Sequence, residues 1–320
     1  MLGAIIGDIV GSRWEFNPTN DYNFEWLSKE NGFTDDTICT VAVADALLHG
    51  RGFGESIHDW CNRYPHPMGG YGGRFAQWVH SKNPQPYHSF GNGAAMRVSP
   101  VAHWYNLIEE VLDAAAATAL PSHNHPEGVK GAQTVALAIF KALQYNCQRY
   151  QEAPLHIDEI LRECVQFSGY DINMPRVAVM NRFDETCQGT VPVALKIISM
   201  ATDFEDAVRL AVSLGADADT LGAIVGSIAE AIWGIPLHLR NAIEEYLPDE
   251  MRLVLDKFYC ARPKSFKPLI DTTFYRKDFN EVAWDMLEDK ERENLREIAD
   301  KEKDEKRRLM AERGKARYKW

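Results

Sequence analysis

Apolar residues recur along most of this chain with helical spacing. Leu221, Ile224, Val225, Ile228, Ile232 and Trp233 fall on one face of a 3.6-residue repeat. Gly234 and Pro236 lie just beyond and supply a stop signal. Similar stripes over 134–143, 191–200 and 206–214 predict three further helices. A fifth is predicted over 41–48, after the polar start Thr34-Asp35-Asp36-Thr37. Period-2 alternation of useful length is scarce, so the predicted fold class is all-α. No repeat of 20–50 residues and no low-complexity linker interrupts the pattern. The body is expected to be one domain, 1–277.

Beyond Lys277 the pattern changes. Residues 278–320 form a charge run with few apolar positions, acids dominating before Lys306 and bases after it. That order complements a helix dipole. Glu288/Arg292, Glu297/Lys301, Glu302/Lys306 and Asp304/Arg308 have the favourable acid-first spacing. A solvated helical extension is expected, with a protein partner through this tail left open.

Charge narrows the range of partners. The 320 residues carry a formal net charge of −11, and acids nearly balance bases in the tail, so the surplus belongs to the body. Such a surface argues against nucleic acid and anionic membrane as partners. No uninterrupted apolar run reaches the length of a membrane span. The apolar start of the chain lacks basic residues and contains Asp8, so it does not read as a signal peptide. Six cysteines without a C-x-x-C pair suit free thiols and a cytoplasmic location.

Two acidic clusters carry the candidate chemistry: Thr34-Asp35-Asp36-Thr37 and Asp217-Ala218-Asp219-Thr220, each directly before an apolar helix. Capping explains one side chain at each helix start, but a second acid and a hydroxyl are then left over. Neither cluster has Lys or Arg nearby in sequence. Carboxylate and hydroxyl oxygens are the donors that hard divalent cations such as Mg²⁺ or Mn²⁺ take. Brought together, the two clusters would suit a pair of ions able to polarise substrate oxygens and activate water. Gly3, Gly7 and Gly11, four apart, predict close approach of another backbone. Glu15, between Trp14 and Phe16, is either a surface acid or a proton-exchanging group of raised pKa. The glycine runs at 69–73 and 91–93 could offer backbone N–H groups to phosphate. His123 and His125 lack the i,i+4 spacing of a helical metal pair, leaving a cap or a substrate contact.

Taken in order, Gly7-Asp8-Ile9-Val10-Gly11-Ser12 with Glu15, Thr34-Asp35-Asp36-Thr37, Gly91-Asn92-Gly93-Ala94-Ala95-Met96-Arg97 and Gly215-Ala216-Asp217-Ala218-Asp219-Thr220 resemble the ADP-ribosylglycohydrolase family. The resemblance runs from residue 3 to about 236. It implies an all-α domain with two divalent cations, Mg²⁺ or Mn²⁺, held by Thr34, Asp35 and Asp36 on one side and Asp217, Asp219 and Thr220 on the other. It implies Glu15 and Asp36 as catalytic groups, and Tyr71, Gly72, Gly73, Asn92, Gly93 and His123 as substrate contacts. The implied reaction is hydrolysis of the bond between ADP-ribose and an acceptor, with protein arginine favoured by analogy. Serine-linked ADP-ribose, O-acetyl-ADP-ribose, and a non-catalytic binding or immunity role stay open at this point.

Overall fold

The computed structural model describes residues 1–148 and 157–262. The helical extension expected over 278–320, and the boundary at 277, lie outside the described residues. Fifteen helices are described in order: α1 (Leu2–Gly11), α2 (Asp35–His49), α3 (Phe53–Arg63), α4 (Gly73–Val79), α5 (Gly93–Met96), α6 (Ser99–Trp104), α7 (Ile108–Ala119), α8 (Pro126–Gln148), α9 (Ile157–Ser168), α10 (Arg176–Val179), α11 (Cys187–Met200), α12 (Phe204–Val212), α13 (Ala218–Trp233), α14 (Leu237–Ala242) and α15 (Asp249–Ala261). Among the described residues β-structure is limited to an isolated bridge between Gly91 and Thr186. The all-α expectation holds, and each of the five stripes lies on a helix. At 206–214 the helix starts two residues before the stripe, because Asp203 caps α12 by accepting the Asp206 N–H, and the last two residues of the stripe lie past the helix end. No described helix is long and apolar enough to cross a membrane.

Two helices form the axis of the body. Every residue of α1 is buried, as is every residue of α13 from Ala218 to Ile232. Helices apolar on all sides belong inside a core. They run antiparallel in direct backbone contact, with Gly3 against Gly226, Gly7 against Gly222 and Gly11 against Ala218. A Cβ on Gly7 would fall inside the Gly222 carbonyl group. The three glycines therefore act as expected, and their counterpart is a second small-residue row on α13.

Gly7→Ala is expected to destabilise the protein by about 3 kcal/mol, since rigid backbone faces the added methyl group. Thermal unfolding measures that loss. An unchanged Tm would show that the helices can separate freely.

Polar groups lock the same axis at its far end. The Glu230 carboxylate on α13 accepts hydrogen bonds from the Met1 ammonium (2.5 Å), the Gly3 N–H (2.8 Å) and the Tyr259 hydroxyl (2.7 Å). Met1 caps α1, Gly3 lies on it and Tyr259 is on α15, so one buried carboxylate on α13 joins three helices. Cys39 and Cys61, 22 residues apart in sequence, meet as buried free thiols with their sulfurs 3.8 Å apart.

Candidate active site

The antiparallel run of α1 on α13 sets the site. It carries the chain leaving α1, and with it Glu15, to the start of α13. There one carboxylate oxygen each from Glu15, Asp217 and Asp219 lies within 4.8 Å of the others. Asp217 occupies the N-cap position of α13 yet makes no capping bond. It instead accepts the Asn92 side-chain amide at 2.7 Å, and that amide also reaches the Thr190 hydroxyl at 3.1 Å.

A buried aspartate organises the other half. Asp8 Oδ1 accepts the Thr34 hydroxyl at 2.8 Å, and its Oδ2 accepts the Thr34 N–H at 3.0 Å and the Thr37 N–H at 3.1 Å. The Thr37 hydroxyl also donates to Oδ2. Thr34 is the N-cap of α2 and accepts the Asp36 N–H, so neither Asp35 nor Asp36 is needed as a cap. Thr220 on α13 donates to Asp36 Oδ2 at 3.1 Å, which ties the two acidic clusters together. The structure thus brings Glu15, Asp36, Asp217, Asp219 and Thr220 into one place, with Thr34 and Asp35 at its edge.

Asp8→Asn keeps the shape but replaces an acceptor oxygen with a donor where four donors converge. Divalent-cation affinity is expected to fall about 10- to 100-fold, the usual cost of disturbing groups that orient ligands. Calorimetric titration with Mn²⁺ measures it, and an affinity equal to wild type would deny Asp8 that role.

The carboxyls disturb one another strongly. Burial raises Asp35, Asp36 and Asp219 well above the usual aspartate range, and neighbouring acid groups push them further. Asp217 is pushed up to about 7 by burial, against hydrogen bonds that lower it. Glu15 rises to about 8, first through burial and then through the charges of Asp219, Asp8 and Glu185. The flanking aromatics invoked from sequence are only part of that story. Trp14 packs edge-on to Phe24, and the Phe16 ring is 70 % exposed. Three buried oxygens, Glu15 Oε2, Asp36 Oδ1 and Asp219 Oδ1, have no hydrogen-bond partner. Partnerless buried carboxylate oxygens are costly, and a hard divalent cation is the partner that matches this donor set. The residues fit such a group.

Above the acids opens a cavity of about 480 Å³, lined among others by Glu15, Asp35, Gly70, Arg74, Tyr87 and Phe90. That volume suits a nucleotide-sized ligand. Gly69 and Gly70 both adopt positive φ, +76° and +82°, and a side chain on Gly69 would collide with Glu15 Oε2. Gly72 and Gly73 open α4 toward free space, where an added Cβ would meet nothing. The Tyr71 hydroxyl is committed to the Tyr64 and Cys61 carbonyls at 2.7 and 3.1 Å, so it anchors the glycine loop to α3. His123 is buried with Nδ1 2.8 Å from the Ser122 hydroxyl, while Nε2 faces Gly91 and Gly93. Burial and the charge of Arg97 hold its pKa well below the ordinary value, so it stays neutral. His125 takes the capping alternative, accepting the Glu127 N–H at 3.0 Å.

Sequence reasoning used Asp8 only as an argument against a leader or membrane segment. The signal was present, since a carboxylate in an otherwise apolar buried helix needs donors. Asn92, expected at the substrate, lines the cleft, and its amide also holds Asp217. Thr190, its second partner, left no mark in the sequence.

The family model described as ADP-ribosylglycohydrolase matches residues 1–266, and the chain belongs to that family. It is accordingly a hydrolase of the glycosidic bond in ADP-ribose conjugates. It is 25% identical to ADP-ribosylhydrolase ARH3 of Xenopus tropicalis, over 83% of this chain and 96% of that protein. It is also 25% identical to ADP-ribosylarginine hydrolase Tri1 of Pseudomonas putida, over 73% of this chain and 70% of that one. A solved ADP-ribosylglycohydrolase-related protein complex superposes with a TM-score of 0.61 and 26% identity, covering 81% of this chain and 95% of that chain.

Proposed function

We propose that the protein removes ADP-ribose from arginine side chains of proteins, at a centre of two divalent cations, Mg²⁺ or Mn²⁺. The observation that carries this reading is the convergence of Glu15, Asp36, Asp217 and Asp219, three of them with buried partnerless oxygens. Similarity to ADP-ribosylarginine hydrolase Tri1 supports the arginine linkage. Thr34, Asp35 and Asp36 would hold one ion, and Asp217, Asp219 and Thr220 the other. Bound there, the ions supply Lewis acidity toward ribose hydroxyls and lower the pKa of water.

The chain's own groups do the rest. Asn92 and Asp8 fix the orientation of the two acidic clusters. Glu15 Oε2 has no competing hydrogen bond and can take a proton from water as that water attacks ribose C1″. Asp36, held by Thr220, steadies the positive charge that develops at C1″ in an oxocarbenium-like transition state. The bond from C1″ to the guanidine nitrogen breaks, its electron pair stays on nitrogen, and that nitrogen takes up the proton that Glu15 received from water, which leaves Glu15 as it began. The uncrowded Gly72–Gly73 segment and Gly93, which line the cavity, would face the diphosphate, with neutral His123 beside Gly93.

Incubation with arginine- and serine-ADP-ribosylated protein, in Mg²⁺, Mn²⁺ or EDTA, tests the reading. Free ADP-ribose is expected from the arginine conjugate with metal, and none in EDTA. No release from either conjugate would sink it.

A further inference from the structure

We propose that Phe16, Phe183 and Glu185 form the acceptor subsite of this cleft, receiving the arginine guanidinium on the Phe16 ring and against the Glu185 carboxylate. This rests on the hydrolase reading above and adds what selects the linkage.

Phe16 is 70% exposed and Phe183 47% exposed, yet their rings meet with centroids 5.9 Å apart and planes inclined by 30°. Neither packs on the hydrophobic core. One exposed phenylalanine is unremarkable, but two paired from distant segments at the rim of a cleft form a binding platform. Phe16 lines the cavity directly after Glu15, and Glu185 lines it as well.

The loop bearing Phe183 and Glu185 is held in place rather than adaptable. The Asn181 N–H donates to the Leu214 carbonyl at 3.0 Å, and the Asn92 N–H to the Glu185 carbonyl at 2.7 Å. Thr186 donates its N–H and hydroxyl to Asp184 Oδ1 at 2.9 and 2.6 Å. The Glu185 carboxylate itself is exposed and has no hydrogen-bond or ion-pair partner among the described residues.

The cleft is also polarised. Arg74 lies on its wall, with the buried Arg97 behind it, and their positive charge suits the diphosphate. Glu15, Glu185 and the phenylalanine pair provide the opposite character. With the anionic half of the substrate drawn to the arginines, the leaving group falls to an acidic, aromatic rim. A guanidinium stacks on aromatic faces and pairs with carboxylate, whereas a neutral serine hydroxyl gains little from either.

The test compares wild type with Phe16→Ala, Phe16→Trp and Glu185→Gln in the full chain with Mg²⁺. Substrates are arginine- and serine-linked ADP-ribose peptides, and affinity for free ADP-ribose is measured alongside. For the arginine conjugate, Phe16→Ala and Glu185→Gln are expected to raise KM about five- to tenfold with kcat within about twofold of wild type. Phe16→Trp should keep the wild-type KM. Serine hydrolysis and free ADP-ribose affinity should move less than about twofold. Equal losses on both linkages, or weaker binding of free ADP-ribose, would overturn the assignment, the latter making the pair a platform for adenine. A wild type inert toward both conjugates overturns the hydrolase reading together with it.

Discussion

Asp219→Asn is expected to lower ADP-ribose release on the order of a thousandfold while making the metal-free protein harder to unfold. Asp219 is 3% exposed, and one of its oxygens has no partner. The activity loss corresponds to about 4 kcal/mol, the scale of transition-state stabilisation a bound cation supplies. The stability gain has a separate origin. Burial and the charges of Asp217 and Asp8 hold Asp219 far from its preferred ionised state. An amide needs no proton and repels neither neighbour, so its Tm in EDTA at pH 8 should rise by a few degrees. Initial rates and thermal unfolding in EDTA check the two halves. A variant that only damaged the fold would lose both together. Unchanged turnover would remove Asp219 from the centre.

Metal removal should also invert the pH dependence of stability. Six carboxyls, Asp8, Glu15, Asp35, Asp36, Asp217 and Asp219, have raised pKa values in the folded protein, with burial as the first cause in each. Asp8 reaches about 6, Asp217 about 7 and Glu15 about 8. Between about pH 4 and pH 8 the folded chain therefore holds protons that the unfolded chain has released, and stability must fall as pH rises. Three buried groups work the other way: His103, His123 and the Met1 ammonium. Burial lowers the pKa of all three, so their contribution grows as pH rises toward the ordinary values of 6.5 for the histidines and 8.0 for the ammonium. Glu230, held down to about 2 by the Met1 ammonium and His103 despite its burial, matters only in acid below its ordinary 4.5.

Six groups outweigh three. In EDTA the Tm is expected to drop by about 5 °C or more from pH 5 to pH 8. Added Mg²⁺ or Mn²⁺ should restore it most at pH 8 and hardly at pH 5, where protons compete for the ligand oxygens. Differential scanning fluorimetry across that range reads both trends. A metal-free Tm that climbs steadily to pH 8 would deny the carboxyls their shared burial.

Local signals carried the fold class and much of the site. The stripe from Leu221 to Trp233, with its glycine stop, marked α13, and Thr34 marked the start of α2. The surplus acids after each cap marked the cleft, because a helix start uses one side chain and these offered three. What stayed hidden depends on contacts between distant residues. Nothing near Gly3, Gly7 and Gly11 says that Gly226, Gly222 and Ala218 face them. The Asn92 amide could have pointed at a ligand, and only the fold directs it to Asp217. Phe16 and Phe183 looked like ordinary apolar residues until their exposure and pairing were seen. Tyr71 lines the cleft as expected, and only the fold shows that its hydroxyl is bound to the Tyr64 and Cys61 carbonyls.

The glycine contact between α1 and α13 also fixes an order of events during synthesis. The first ten residues leave the ribosome long before Gly222 and Gly226, and their principal surface has no partner until those residues emerge. Contacts of such sequence separation close late, because chain entropy must be overcome before they stabilise anything. Glu15 meets Asp217 and Asp219 only once that closure has happened. A nascent chain carrying the first acidic cluster alone is therefore half a cation site, and a fragment ending before α13 should neither retain divalent ions nor cleave substrate. Activity is therefore expected to wait on α1 finding α13.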